Sequence, residues 1–233
     1  MTTRLDDISA DPEALLSAGT QELGLSLSPA ALEQFLFYGK ELLRWNARVN
    51  LTGLKNLPDV VIRHFLDSLA VWPWIKDLHS LADIGAGAGF PGLPLKLALP
   101  HLHLTLIEST GKKTVFLQYI IAHLGLVDVA VRQVHLTPAL ARQWGPSFQG
   151  VITRATFPLA RYLELGAPLV KPGGQLIALK GPGLGEGEWQ EAMAPAGKNA
   201  CGFPARYEYE LPLAGEKRWL VVWEKNEGVG RTF

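Results

Sequence analysis

Twelve residues constrain the fold of this chain more than any others. They read Leu81-Ala82-Asp83-Ile84-Gly85-Ala86-Gly87-Ala88-Gly89-Phe90-Pro91-Gly92 and lead into Leu93-Pro94-Leu95-Lys96-Leu97-Ala98-Leu99. The order predicts a buried strand, a tight glycine turn and a helix start. Glycine tolerates positive φ and leaves backbone N–H groups open to a ligand. Proline suits a first helical turn, where its missing N–H costs nothing. This is the expected first βα unit of a nucleotide-cofactor fold.

Strand and helix patterns alternate from Leu81 onward. Strands are predicted at 80–84, 103–108, 128–132, 150–153 and 175–180, with helices at 91–99, 111–124, 138–144 and 158–169 between them. Lys171-Pro172-Gly173-Gly174 reads as a turn and 186–195 as a weak helix. Two closing strands, 203–211 and 218–225, predict an edge hairpin that turns at Gly215. Such alternation implies an α/β fold with a doubly wound, mostly parallel, Rossmann-like sheet.

Residues 1–75 read instead as a helical extension, leaving 76–233 for the Rossmann-like domain. The extension opens with a lead and a short helix near 11–23. Ser28 and Pro29 then start a helix with an apolar stripe of Leu32, Phe35, Leu36, Leu42 and Leu43. Gly39 lies on that stripe, as expected for close packing. Asn56 and Pro58 open another helix, predicted to run to Trp72 on a face of Val61, Phe65, Leu69 and Trp72. His64, Asp67 and Ser68 share one face of it. That face packs against another helix or looks over the cofactor site.

Composition narrows the class. No apolar run approaches the ~18–20 residues of a membrane span. The N-terminus lacks the apolar region of a signal peptide. Cys201 is the sole cysteine, so neither an internal disulfide nor a cysteine metal cluster is expected. A cytoplasmic, metal-free, monomeric protein is the expectation. Net charge is zero, but residues 1–28 set Arg4 against Asp6, Asp7, Asp11, Glu13 and Glu22, which leaves +4 on the remainder.

Ligands of doubly wound sheets bind at the carboxyl ends of the strands. Glu108 closes strand 2 there, and a carboxylate can accept from both ribose hydroxyls. Two cofactors share this geometry. Gly87-Ala88-Gly89-Phe90-Pro91-Gly92 matches the dinucleotide pattern G-x-G-x-x-G, which leaves an NAD(P)-dependent oxidoreductase open. Yet Gly85, not Gly87, directly follows the strand, and Asp83 sets a negative charge where a dinucleotide brings pyrophosphate. A carboxylate suits the cationic S-adenosylmethionine better. Strand 4 ends Val151-Ile152-Thr153-Arg154-Ala155, with no Pro-Pro-aromatic run and no Pro-Cys nucleophile. A ring nitrogen such as guanine N7 has a free lone pair and needs alignment rather than a base.

The ordered motifs resemble those of the bacterial 16S ribosomal RNA guanine-N7 methyltransferase G family (RsmG, or glucose-inhibited division protein B). They are Trp45-Asn46 with Asn50-Leu51-Thr52, Arg63-His64-Phe65-Leu66-Asp67-Ser68, Asp83 to Gly92, Glu108-Ser109 with Lys112-Lys113, Thr153-Arg154-Ala155 and Ala178-Leu179-Lys180-Gly181. The resemblance implies a class I methyltransferase fold, S-adenosylmethionine as donor, and 16S rRNA or the small ribosomal subunit as partner. It implies cofactor contacts at Gly85, Phe90, Arg154 and the pair after strand 3, here Val134 and His135, with Glu108 on the ribose. Asp83 and Gly87 complete the expected cofactor set, and Arg154 is the expected catalytic residue. Gln133-Val134-His135 departs from the family's Arg-Ala-Glu-like triplet, which keeps open a ribosome-binding module with a vestigial cofactor site. Arg44, Arg48, Arg63, His64, Lys112, Lys113 and Lys180 are the RNA-facing candidates. Trp45 stands among them for base stacking, and plain surface solvation is the alternative for each.

Overall fold

A computed structural model of the chain describes residues 11–193 and 201–227. The predicted lead at residues 1–10 and the end of the predicted 186–195 helix lie outside the described residues. Helices α1 (Pro12–Glu22) and α2 (Pro29–Asn46) are capped by Asp11 and Ser28, each with proline in the first turn. Gly39 is buried in α2, where a Cβ would stand 2.3 Å from Leu57 Cδ1. The expected close packing is therefore real.

The next helix differs from the expected regular run to Trp72. Asn56 caps α3 (Leu57–Val60), which passes into a π-helical turn, Val61–Leu66, and then α4 (Asp67–Leu69). A separate short helix α5 (Trp72–Ile75) follows. Trp72 leaves the periodic face because its indole Nε1 donates to Leu23 O at 2.8 Å, tying it to the end of α1.

The alternating half contains β1 (Ser80–Ile84), α6 (Gly92–Ala98), β2 (His103–Glu108), α7 (Gly111–His123), β3 (Val129–Gln133), α8 (Pro138–Trp144), β4 (Phe148–Arg154), α9 (Leu159–Gly166), β5 (Val170–Lys180), α10 (Glu186–Met193), β6 (Ala205–Glu210) and β7 (Lys217–Glu224). The expected turn at 171–174 instead runs inside β5. Gly173 takes φ +74°, and its N–H still donates to Lys225 O. The seven strands form one sheet in the order β3-β2-β1-β4-β5-β7-β6. All pairs are parallel except β5·β7 and β6·β7, so the edge hairpin is antiparallel.

Alternation along the strands sends side chains to two cores. Leu81, Leu104, Leu106, Ile152 and Ile177 face α1 to α7, whereas Ala82, Ile84, Ile107, Val151 and Leu176 face α8 to α10. The N-terminal helices thus share one continuous core with the sheet, through Leu16, Phe35, Leu42, Phe65 and Leu69. The chain leaves β1 toward β2 and β3, then returns to β4 and β5 on the other side. That switch opens a crevice between the carboxyl ends of β1 and β4.

Candidate active site

The glycine turn is locked from both sides. Gly85 N–H and Ala86 N–H donate to Ile107 O at 2.8 and 3.2 Å. Gly85 takes φ +75°, and a Cβ there would lie 2.5 Å from Thr156 Cγ2. Only glycine meets both demands. Gly87 takes φ +59° and has open space above it. Its N–H donates to Glu108 Oε2 at 2.9 Å, while Glu108 Oε1 accepts from Thr110 N–H at 2.8 Å. Two backbone donors therefore aim the Glu108 carboxylate, and its remaining lone pairs are left for a ligand.

Across the crevice, Arg154 ends β4. Its Nη1 donates to Asp67 Oδ2 and Arg63 O, both at 3.2 Å, and its Nη2 donates to His64 Nδ1 at 2.9 Å. The guanidinium also lies over the Phe90 ring, 5.0 Å from its centroid. Arginine can only donate, so His64 Nδ1 accepts, and His64 Nε2–H donates to Thr52 Oγ1 at 2.7 Å. Burial, then the Arg154 charge, lower the His64 pKa to about 3, so the ring is neutral. It stacks on Phe90 with centroids 4.3 Å apart. Asp67 is 7% exposed and is held from the far side by Tyr209 O–H at 3.0 Å and Arg218 Nε at 3.5 Å. The π-helical turn, β4 and the edge hairpin thus converge on one buried carboxylate.

Between these two walls lies a cleft of about 420 Å³. Gly85, Gly87, Phe90, Glu108, Val134, His135 and Arg154 all line it, with Lys113 at its side.

A family model described as rRNA small subunit methyltransferase G matches residues 31–199. The chain belongs to that family. It is 37% identical over 213 residues to ribosomal RNA small subunit methyltransferase G of Myxococcus xanthus, covering 91% of this chain and 97% of that protein. The same enzyme of Roseiflexus castenholzii is 46% identical over 164 residues, 69% of this chain and 70% of that one. An O-methyltransferase from Bacillus cereus, solved in complex with SAH, shares the fold at a TM-score of 0.59 and 18% identity. It covers 81% of this chain and 91% of that one.

As a member of the G family, the chain is an S-adenosylmethionine-dependent rRNA methyltransferase with the class I fold. The cleft fits that cofactor. Glu108 offers unused acceptor positions, Gly87 leaves the approach open, and Val134 and His135 close the β3 side. Family membership removes the nicotinamide alternative. The G-x-G-x-x-G match begins at Gly87, two residues past the glycine that leaves β1.

One residue of the expected cofactor set stands outside the cleft. Asp83 does not line the cleft. It is fully buried beneath the turn, Oδ2 accepts from Gly92 N–H at 2.9 Å, and Oδ1 has no partner. Burial raises its pKa to about 7, and its part is to hold the turn to α6. His64, an RNA-facing candidate by sequence, is the neutral partner of Arg154 and lines the cleft. Arg63 Nη2 pairs with Glu216 at 2.7 Å, Lys180 Nζ with Glu188 at 2.6 Å, and Arg44 with Glu41. Lys112 is exposed and outside the cleft, and Arg48 is exposed beside Trp45.

Leu51, Ser109, Thr110, Thr156 and Phe157 also line the cleft. The sequence signal for the last two was their place directly after the strand 4 motif. Tyr209 and Arg218 carried no such signal, because only the folded hairpin brings them to Asp67. Among the described residues, no group of three or more His, Cys, Asp or Glu is placed to hold a metal, and no helix is long and apolar enough to cross a membrane.

Proposed function

We propose that this chain methylates N7 of one guanine in 16S rRNA of the small ribosomal subunit. The observation that carries the reading is the cleft itself, with Glu108 on the β2 wall and Arg154 on the β4 wall. Glu108 accepts from the ribose hydroxyls, and Val134 and His135 border the adenine. Gly85 and Gly87 let the backbone approach the donor. Arg154 is the catalytic candidate. Two of its five N–H groups are not taken by the contacts above, and they suit a carboxylate or the guanine O6 acceptor.

S-adenosylmethionine supplies a methyl group made electrophilic by its sulfonium. The guanine N7 lone pair would take that methyl group, with the C–S electrons returning to sulfur and the positive charge passing to the purine. No proton moves, so the residues must align and stabilise charge rather than act as a base.

The helices of residues 1–75 carry part of the RNA contact, at Arg44, Arg48 and Arg63, with Lys112, Lys113 and Lys180 on the domain. The protein works as a cytoplasmic monomer. Methyl-labelled S-adenosylmethionine and small subunits lacking the mark test the reading. Label at a single guanine N7 is expected, and absence of label from both particles and naked 16S rRNA overturns it.

A further inference from the structure

A second cleft, about 560 Å³, adjoins the first and shares Thr156 and Phe157 with it. It lies beyond β4, between the end of β5 and α10, and its charged lining is Lys180, Glu188 and Glu191. The strand order decides what this neighbour can be. Glu108 on β2, and Val134 and His135 after β3, take the nucleoside half of the donor on one side of β1. The reacting end must then point to the β4 side. An acceptor reaches it there, past Thr156 and Phe157.

We propose that the second cleft seats the acceptor guanine and reads its Watson–Crick edge. The inference rests on the guanine-N7 reading above. Around a guanine, N7, O6, N1–H and N2–H₂ follow in that order, as acceptor, acceptor, donor and donor. The lining offers a donor and then acceptors, linked in the series Phe157–Lys180–Glu188 by hydrogen bonds. Thr156 and Phe157 border the donor site. Lys180 Nζ comes next, bonded to Phe157 O at 2.7 Å and Glu188 Oε1 at 2.6 Å, with one N–H left for O6. Glu188 and Glu191 stand beyond it as acceptors for N1–H and N2–H₂. Glu188 Oε1 is already committed to Lys180 and to Leu159 N–H, so Oε2 and the exposed Glu191 do the reading. Phe157 offers a face for stacking.

The charges agree with the reaction. The purine becomes cationic as N7 is methylated. Lys180 and Glu188 form a neutral pair, and no ion pair neutralises Glu191 among the described residues. The cleft therefore carries a net negative charge where positive charge develops, a placement that lowers the barrier as well as aiding binding. Adenine presents a donor where guanine has O6 and lacks both donors on N1 and C2. It would meet Lys180 with a donor and leave the carboxylates unpaired.

Two variants separate this proposal from the reading beneath it. Gly187 lines the cleft and a Cβ there meets nothing within 4 Å, so Gly187→Phe adds a ring at the cleft without a clash at Cβ. Glu191→Gln changes an exposed side chain alone. The expected result is unchanged S-adenosylhomocysteine affinity by calorimetry for both. The kcat/KM for unmethylated small subunits is expected to fall at least ~100-fold for Gly187→Phe and ~10-fold for Glu191→Gln. A second readout needs no turnover. 6-Thioguanosine placed at the methylated position should photocrosslink within residues 155–180. Wild-type kinetics in both variants, or a crosslink confined to residues 44–48, overturns the proposal. Failure of the unaltered protein to bind S-adenosylhomocysteine or to mark guanine N7 would instead sink the underlying reading.

Discussion

Arg154 and Asp67, 87 residues apart in sequence, meet at 3.2 Å beside the 420 Å³ cleft, with side chains only 14% and 9% exposed. The contact joins β4 to the helix that carries the Arg63–Ser68 motif. It gives a physical reason for two distant motifs to occur together.

Breaking that pair has unequal effects from its two ends. Asp67→Asn leaves the Arg154 and Arg218 guanidiniums without their shared carboxylate, and should cost about 3 kcal/mol in urea unfolding. Arg154→Ala leaves Asp67 with Tyr209 and Arg218, so stability falls less, while methyl transfer falls at least about tenfold. Equal unfolding midpoints for Asp67→Asn and the parent would show the pair to be energetically idle.

Gly85→Ala should abolish cofactor binding while the chain still folds. The alanine is strained at φ +75° and its Cβ collides with Thr156. Strain of that kind costs about 1–3 kcal/mol, concentrated at the turn. Calorimetry with S-adenosylhomocysteine checks this. The double variant Gly85→Ala, Thr156→Ala relieves the collision but not the φ, so it should recover only part of the affinity. Full recovery would assign the whole effect to packing.

Glu108→Ala removes an acceptor from the cleft and releases Gly87 N–H and Thr110 N–H. A hydrogen bond to a charged group is worth about 1.5–3 kcal/mol, so cofactor affinity should fall about 10- to 100-fold. Under the proposed ribose role of this carboxylate, adenosine alone should lose affinity in the same proportion as S-adenosylhomocysteine. Loss confined to the larger ligand would place Glu108 elsewhere.

Two buried groups tilt the pH dependence of stability in opposite senses. His64 has its folded pKa lowered from 6.5 to about 3, so the unfolded chain binds the proton first. Its contribution is full above pH 6.5 and is lost as pH falls toward 3. Asp83 has its folded pKa raised from 3.8 to about 7, so the native carboxyl keeps its proton. Its contribution is full below pH 3.8 and is lost as pH rises toward 7. Each slope is at most about 1.4 kcal/mol per pH unit. Between pH 4 and 6.5, His64→Gln should therefore lose less stability on acidification than the parent, and Asp83→Asn more. Parallel Tm-versus-pH curves for the three proteins would refute both assignments.

The primary structure alone determined the βα turn, the mostly parallel sheet and the edge hairpin. Each follows from local chemistry: glycine at positive φ, proline in first helical turns, and hydrophobic periods of two and 3.6. Glu108 was legible too, because a strand-terminal acid after the glycine turn lies in the crevice by geometry. Only the tertiary structure decided the charges. Whether a histidine or an aspartate is ionised depends on burial and on partners from distant segments. Folding made His64, an RNA-facing candidate by sequence, a neutral acceptor for Arg154 and sank Asp83 beneath the turn. The same dependence hid the Asp67 hub, where the π-helical turn, β4 and the hairpin converge, and the second cleft, between the end of β5 and α10.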